Sequence, residues 1–177
     1  MDAAFEHDTH GPKLRLCALT SADGHSEAVI THVPPEVIDC FDDRLTQIAM
    51  GELMGVLLAF AYFHKLLKNR SAIIFGDNMG VIATIVNGGS KYRDLGTMSH
   101  LLHCRIAALH TVGWFEYVES WSNPADGGTR EELEDPVTKR LGIPMRRVPP
   151  LTIPTSFPWM TPQEGTAFWE KNSPDSS

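Results

Sequence analysis

Four acidic residues stand in positions where a carboxylate could do chemistry. Glu52 lies inside a strongly apolar stretch, and Asp77 follows the apolar run at 72–75 after a single glycine. Asp126 lies in a Gly-rich segment, and Asp2 precedes the first predicted hairpin. Charged side chains are usually excluded from apolar surroundings unless they are paired. These four carboxylates are therefore the candidates for a functional site.

A cluster of these carboxylates would have a defined chemistry. Carboxylates that converge on one point repel one another and raise each other's pKa unless a cation compensates them. Oxygen ligands without Cys or His select hard ions, Mg²⁺ or Mn²⁺, over zinc. Two such ions, about 4 Å apart, can activate a water and stabilise the leaving oxygen in phosphodiester hydrolysis. The residue types therefore suggest metal-dependent hydrolysis of a phosphodiester.

Each of the four also has a purely structural interpretation. Asp77 and Asp126 each stand before a predicted helix and could cap its N-terminus. Glu52 could emerge at the solvent edge of its helix, and Asp2 could belong to a frayed terminus. The presence of all four in one chain favours the functional interpretation.

The first half of the sequence predicts an α/β fold. The segments 13–20 and 27–33 alternate or are β-branched, and turn residues join them, which predicts an antiparallel hairpin. Apolar residues recur at helical spacing over 45–69, which predicts one long helix. The apolar run at 72–75 is typical of a buried parallel strand.

The second half of the predicted domain continues this pattern. Helices are expected at 79–86 and 95–110, followed by a strand at 114–121 where aromatic or apolar residues alternate with polar ones. A short acidic helix is expected at 130–141.

The composition changes after Gly142. Six of the twelve prolines lie between Pro144 and Pro162, and such a segment is not expected to hold a regular element. The predicted organisation is one domain at 1–142, followed by a Pro-rich tail at 143–177 that is extended or disordered.

Length and charge exclude several classes of protein. The chain has 177 residues, enough for one domain plus a tail, and a net charge of -7. That charge argues against a protein that holds nucleic acid by bulk charge alone. Residues 61–115 are nevertheless basic, with six Lys or Arg against two acidic residues.

No targeting or disulfide signal is present in the sequence. The three cysteines show no metal-site or disulfide spacing. The N-terminus lacks the features of a secretory signal, and the longest apolar stretch is too short to span a bilayer. We therefore expect an intracellular protein, cytoplasmic or nuclear, with no membrane association.

The motifs around the four carboxylates resemble those of a known family. Asp2 in DAAF, Glu52 in TQIAMGELMGVLLAF, Asp77 in IIFGDN and Asp126 in NPADGGTR occur in this order. Together they resemble the ribonuclease H domain attached to the reverse transcriptases of retrotransposons, over residues 2–141. The Asp-Asn pair after the strand and the Asn-Pro-Ala-Asp-x-x-Thr-Arg segment are the more specific parts.

The resemblance implies a fold and an activity. The fold would be a five-stranded mixed sheet flanked by helices, with strand order 3-2-1-4-5. Asp2, Glu52, Asp77 and Asp126 would bind two Mg²⁺ or Mn²⁺ ions and direct a water to cut the RNA strand of an RNA–DNA hybrid. Asp2 would lie at the end of the first strand. An upstream reverse transcriptase domain would be a partner within a retroelement polyprotein.

Several further residues are candidates for substrate contact under the same resemblance. Asn78 and Arg130 would neighbour the carboxylates. Basic residues in the middle of the chain are candidates for phosphate contacts: Lys65, Lys68, Arg70, Lys91, Arg93 and Arg105.

The sequence departs from the family at its start. The family's first strand precedes its catalytic Asp, whereas only Met1 precedes Asp2 here. We therefore expect a first strand truncated at the N-terminus, in a chain that is a fragment of a longer polyprotein or that begins at an internal Met. This departure favours one alternative, a degenerate, non-catalytic ribonuclease H-like connection or protein-binding module. Another is an integrase or other nuclease of the same fold, although the long gap between Asp77 and Asp126 is unusual for an integrase.

Overall fold

Alternating polar and apolar residues in the first part of the chain form an antiparallel meander of three strands. These are β1 (Asp2–Asp8), β2 (Gly11–Ala22) and β3 (His25–Val33). Asp23 and Gly24 join β2 to β3 with φ of +52° and +78°, as a two-residue hairpin turn requires. The predicted hairpin is therefore confirmed. The first strand, which was expected to be truncated and to end at Asp2, instead begins at Asp2 and has seven residues. The computed structural model describes residues 1–9, 11–129, 142–153, 161–172 and 174.

A long apolar helix covers one face of this meander. It is α2 (Ile48–Tyr62), which follows the short helix α1 (Pro35–Ile38) and precedes another, α3 (His64–Leu67). Most of α2 is buried because β1, β2 and a later helix all pack against it. The single helix predicted at 45–69 is thus shorter and divided in two.

The second half of the domain is a parallel β-α-α-β unit. β4 (Ser71–Gly76) pairs in parallel with β5 (Val112–Tyr117). A parallel pair needs a long crossover, which α4 (Met79–Asn87) and α5 (Arg93–Leu109) supply. β5 begins and ends earlier in the chain than the strand predicted at 114–121. A 3-10 helix (Ser120–Ser122) follows it.

The strands form two sheets, so the predicted five-stranded sheet is wrong. One sheet has the order β1-β2-β3-β6, where β6 (Met145–Arg147) is parallel to β3, and the other contains β4 and β5. All seven residues of β1 pair with β2. Beyond β1, the Met1 nitrogen donates a hydrogen bond to the Phe75 carbonyl of β4 at 3.2 Å. The fold is an α/β arrangement of mixed strand direction flanked by helices, without a continuous 3-2-1-4-5 order.

The predicted tail contains regular structure in its described parts, which corrects the expectation for 143–177. β6 is held by its pairing with β3, and α7 (Pro162–Lys171) begins with a capping box between Thr161 and Glu164. Trp169 is buried and donates from its indole nitrogen to the Leu101 carbonyl of α5 at 2.9 Å. The tail therefore contributes to the same core as α2 and α5.

Two predictions concern regions that are only partly described. The short helix α6 (Asp126–Thr129) begins at a candidate acid, but the acidic helix predicted at 130–141 lies outside the described residues. In the part of the chain that is described, no helix has the length and apolar character needed to cross a bilayer.

Candidate active site

The four predicted acids come from four different elements and line one cavity of about 630 Å³. Asp2 opens β1, Glu52 lies in α2, Asp77 follows β4, and Asp126 opens α6. The carboxyl ends of strands in open α/β sheets are a common place for ligand sites, and Asp77 occupies such a position. The fold thus brings together residues that are up to 124 positions apart in the chain.

Asp2 is placed at the start of its strand, which corrects the expectation that it lies at the end of the first strand. Its side chain is buried and its Oδ2 accepts a hydrogen bond from the Thr129 hydroxyl at 2.6 Å. Burial raises the pKa of Asp2 to about 6, with a smaller contribution from the negative charges of Asp77 and Asp126, although the Thr129 hydrogen bond acts in the opposite direction. The ionised form of Asp2 is therefore destabilised, in part by two neighbouring carboxylates.

Glu52 projects from the buried side of α2. It is 9% exposed, and its Oε1 accepts a hydrogen bond from Asn78 Nδ2 at 3.3 Å. Burial, with smaller contributions from the charges of Asp77 and Asp2, raises the pKa of Glu52 to about 8, although the hydrogen bond from Asn78 acts in the opposite direction. A carboxyl in this position binds a proton at neutral pH unless a positive charge replaces it. The alternative of a solvent-edge glutamate is thereby wrong.

Asp77 has an oxygen without a protein partner. Its Oδ1 is buried and accepts no hydrogen bond in the part of the chain that is described. The alternative role of a helix cap falls instead to the next residue, Asn78, whose Oδ1 accepts from the backbone of Gly80 and Val81. Buried carboxylate oxygens are normally satisfied, so Asp77 is the strongest sign that this cavity receives a ligand with positive charge.

Asp126 is held by a tightly packed loop. Asn123 donates from Nδ2 to the Met1 carbonyl at 2.8 Å, which ties the loop to the start of β1. The Thr129 hydroxyl donates to the Asp126 carbonyl at 2.9 Å as well as to Asp2. A side chain at Gly128 would collide with the Cys17 side chain on β2. The Asn-Pro-Ala-Asp-Gly-Gly-Thr segment therefore fixes the distance between α6 and the strands.

The donor atoms of this cavity fit a hard divalent cation in type. The four acids supply only oxygen, the buried Asp77 Oδ1 lacks a partner, and burial, with a smaller effect of neighbouring carboxylates, raises the pKa of Asp2 and Glu52. In this conformation, however, no group of three or more His, Cys, Asp or Glu among the described residues could hold a metal ion. Side-chain rotations would be needed to bring the carboxylates to one ion.

The predicted substrate residues have different outcomes. Asn78 contacts Glu52 and lies beside the cavity. Lys91 and Arg93 are exposed at the start of α5 and are not among the residues that line the cavity. Arg130 lies outside the described residues.

Three residues of the cavity wall were not predicted. Thr129 holds Asp2, while Arg15 on β2 and Glu6 on β1 form an ion pair at 2.6 Å. Thr129 belongs to the quoted Asp126 motif and could have been singled out from it. Arg15 lies on the predicted hairpin, but its ion pair with Glu6 could not be predicted, because it depends on the pairing of β1 with β2.

Comparisons with protein-family models, curated proteins and solved structures gave no match to this chain.

Proposed function

We propose that this chain is a metal-dependent endonuclease that hydrolyses the RNA strand of RNA–DNA hybrids. The observation that carries the proposal is the convergence of Asp2, Glu52, Asp77 and Asp126 on one cavity, with an unpartnered buried oxygen on Asp77. Structural carboxylates at unrelated sites would not be expected to share a cavity, nor would two of them be expected to have a pKa raised by burial and by neighbouring acids, as Asp2 and Glu52 do.

The residues of the cavity would have different roles in binding the metal ions and in orienting the acids. Asp2, Asp77, Glu52 and Asp126 would hold Mg²⁺ or Mn²⁺, which when bound supplies Lewis acidity and an activated water for phosphodiester hydrolysis. Thr129 orients Asp2, and Asn78 orients Glu52, through the hydrogen bonds described above. The raised pKa of Glu52 means that its proton must leave before it can serve as a ligand.

The choice of an RNA–DNA hybrid comes from the resemblance to retrotransposon ribonuclease H domains. Such a duplex is recognised through its backbone shape and 2′-hydroxyl groups rather than its base edges. We therefore expect low sequence specificity. A reverse transcriptase domain upstream in the same polyprotein would supply additional affinity.

A non-catalytic module is the second candidate, and one observation favours it. The carboxylates are not grouped to hold a metal ion in the described conformation. A degenerate domain would keep the four acids without binding a metal ion and would act through its surface alone.

A cleavage assay separates the two candidates. The full chain is incubated with a hybrid labelled on its RNA strand, in Mg²⁺ and then Mn²⁺, beside labelled single-stranded RNA and duplex DNA. The endonuclease cuts the hybrid, and Asp77→Asn lowers the rate at least about 100-fold because an essential ligand is lost. The matched control is Asp43→Asn, which alters an exposed acid in the loop before α2. No cleavage by the parent chain would leave the non-catalytic module as the better proposal. Equal cleavage by the Asp77 variant would show that the four-acid cavity is not the site of cleavage.

A further inference from the structure

A row of basic side chains crosses the sheet next to the carboxylate cavity. Lys13 and Arg15 lie on β2, His32 lies opposite Arg15 on β3, and Arg147 lies opposite Ile30 on β6. These residues are up to 134 positions apart in the sequence. Strand pairing alone brings them together, so they form a surface that no local motif could indicate.

The side chains of the row point to one face of the sheet. Successive residues of a strand alternate between faces, and the face in question is the one covered by α6. Cys17, Ile30 and Ala125 pack together there, and Met145 packs against them. On β2, Lys13 and Arg15 are an even number of positions from Cys17. His32 on β3 and Arg147 on β6 are likewise two positions from Ile30 and Met145. All four therefore have the same parity as the residues of this face and point to it.

The electrostatics of this face agree with the geometry. Partial burial lowers the pKa of His32, and the positive charges of Arg147, Arg15 and Lys13 lower it further. All four side chains are therefore close enough to interact electrostatically. Among the described side chains of this face, Glu6 offsets part of the charge through its ion pair with Arg15.

The row continues directly from the cavity wall. Arg15 lines the same cavity as Asp2 and Asp126, while His32 and Arg147 are exposed. Neighbouring strands are about 4.8 Å apart, so Arg147 on β6 is roughly 10 Å across the sheet from β2. An extended polyanion that has one phosphate at the carboxylate cavity could reach this row with its next phosphates.

We propose that the row formed by Lys13, Arg15, His32 and Arg147 binds the phosphodiester backbone of the nucleic acid whose scissile bond enters the cavity. This inference rests on the proposed function. It adds the path that the bound nucleic acid follows from the cavity across the sheet. The phosphate contacts would then be made by a sheet face that both ends of the chain build, and not by the basic residues at 61–115.

The adjacent residues Arg146 and Arg147 allow a matched test. Both are exposed, but Arg146 has the opposite parity, and its guanidinium lies 5.6 Å from the centroid of the Tyr62 ring on α2. The two arginines therefore carry the same charge on opposite faces of one strand.

Hybrid affinity is measured by fluorescence anisotropy as a function of salt, with the full chain carrying Asp77→Asn so that the hybrid stays intact. Arg147→Ala should weaken binding about 5- to 10-fold near 0.1 M salt and reduce the salt slope by about one, as expected for one lost phosphate contact. Arg146→Ala should leave both quantities unchanged, and Arg147→Lys should restore most of the affinity because the charge is kept.

Three results would overturn the proposal. The first is an equal effect of the two alanine variants, and the second is a parent chain that does not bind the hybrid at about 50 mM salt. The third is an Arg147→Ala variant that melts at a lower temperature but binds the hybrid as the parent does, which would mean that Arg147 serves the fold. Cleavage by the chain with Asp77 intact is measured separately, so failure of the row and failure of the proposed function are distinguishable.

Discussion

Asn78 Nδ2 donates a hydrogen bond to Glu52 Oε1 at 3.3 Å, which joins the start of α4 to the buried side of α2. The same side chain accepts from Gly80 and Val81 through Oδ1, so it caps α4 and orients Glu52 at once. An amide is the one side chain of this size that can both donate and accept here. Asn78, the second residue of the Asp-Asn pair in the sequence motif, therefore has two separable functions: it caps α4 and it orients Glu52.

The first prediction separates these functions. Asn78→Asp keeps a good helix cap but removes the donor to Glu52 and adds a negative charge beside it. We expect the free energy of unfolding to fall by about 1–2 kcal/mol at pH 7 and by less at pH 4, which is close to the usual Asp pKa of about 3.9, so that the new carboxyl carries only part of its charge. Urea denaturation at both pH values measures the change.

Asn78→Ala is the companion variant. It loses the cap as well as the donor, so it should be destabilised by about 1 kcal/mol at pH 4 as well. Equal stability of the Asp variant and the parent at both pH values would contradict the proposed role of the Nδ2 donor.

The second prediction concerns the pH dependence of stability. Burial raises the pKa of Glu52 from 4.5 to about 8, so the folded protein holds a proton that the unfolded chain has lost between these two values. Stability in EDTA should therefore fall as the pH rises from 4.5 to 8, by at most about 1.4 kcal/mol per pH unit for this proton.

The isosteric variant Glu52→Gln tests this directly. It cannot ionise and keeps an oxygen that accepts from Asn78, so it should be more stable than the parent at pH 8 and similar to it at pH 4. Asp2 remains in both proteins, so the difference reports the titration of Glu52 together with its electrostatic coupling to Asp2. Stability curves that run parallel from pH 4 to 8 would exclude a buried, titrating Glu52.

The third prediction is that divalent cations stabilise the folded chain. A ligand that binds only the folded state adds about 2.7 kcal/mol at one hundred times its dissociation constant, and Mg²⁺ would also relieve the repulsion among Asp2, Glu52 and Asp77. Thermal melts at pH 8, with and without Mg²⁺ at constant ionic strength, should show an increase that Asp77→Asn removes. The exposed variant Asp43→Asn should retain it, and an equal shift in both variants would indicate a nonspecific effect of the salt.

The sequence predicted the local elements around Glu52 and Asp77 better than it predicted the pairing of distant strands. Glu52 was predicted in a helix and Asp77 after a strand, because long apolar periodicity and a short apolar run are strong local signals. Asp2 was placed at the wrong end of its strand, because the segment DAAFEHD has few apolar residues and is held mainly by pairing with β2. Contacts between distant segments cannot be read from local patterns.

The same reasoning explains the other differences. Thr161-Pro162-Gln163-Glu164 is a capping box with proline at the first helical position. This local signal favours a helix start despite the prolines around it. β6, by contrast, is a strand only because it pairs with β3, and the row that ends at Arg147 depends on that pairing.

The fourth prediction concerns the close packing between Gly128 and Cys17. A Cβ at position 128 would collide with Cys17 Sγ and would lie 2.9 Å from Cys17 Cβ. Gly128→Ala should therefore destabilise the fold by about 1–3 kcal/mol, the usual cost of an added methyl in a packed core. It should also slow any cleavage, because α6 carries Asp126 and Thr129.

A double-mutant cycle identifies the cause of that loss. Cys17→Ala removes Sγ, so the combined variant should lose less stability than the two single variants together, with a coupling of about 1 kcal/mol. Gly89→Ala is the control, since nothing lies within 4 Å of its added Cβ, and it should change stability by no more than about 0.5 kcal/mol. Strict additivity in the cycle would show that the Gly128 methyl is resisted by something other than the Cys17 sulfur.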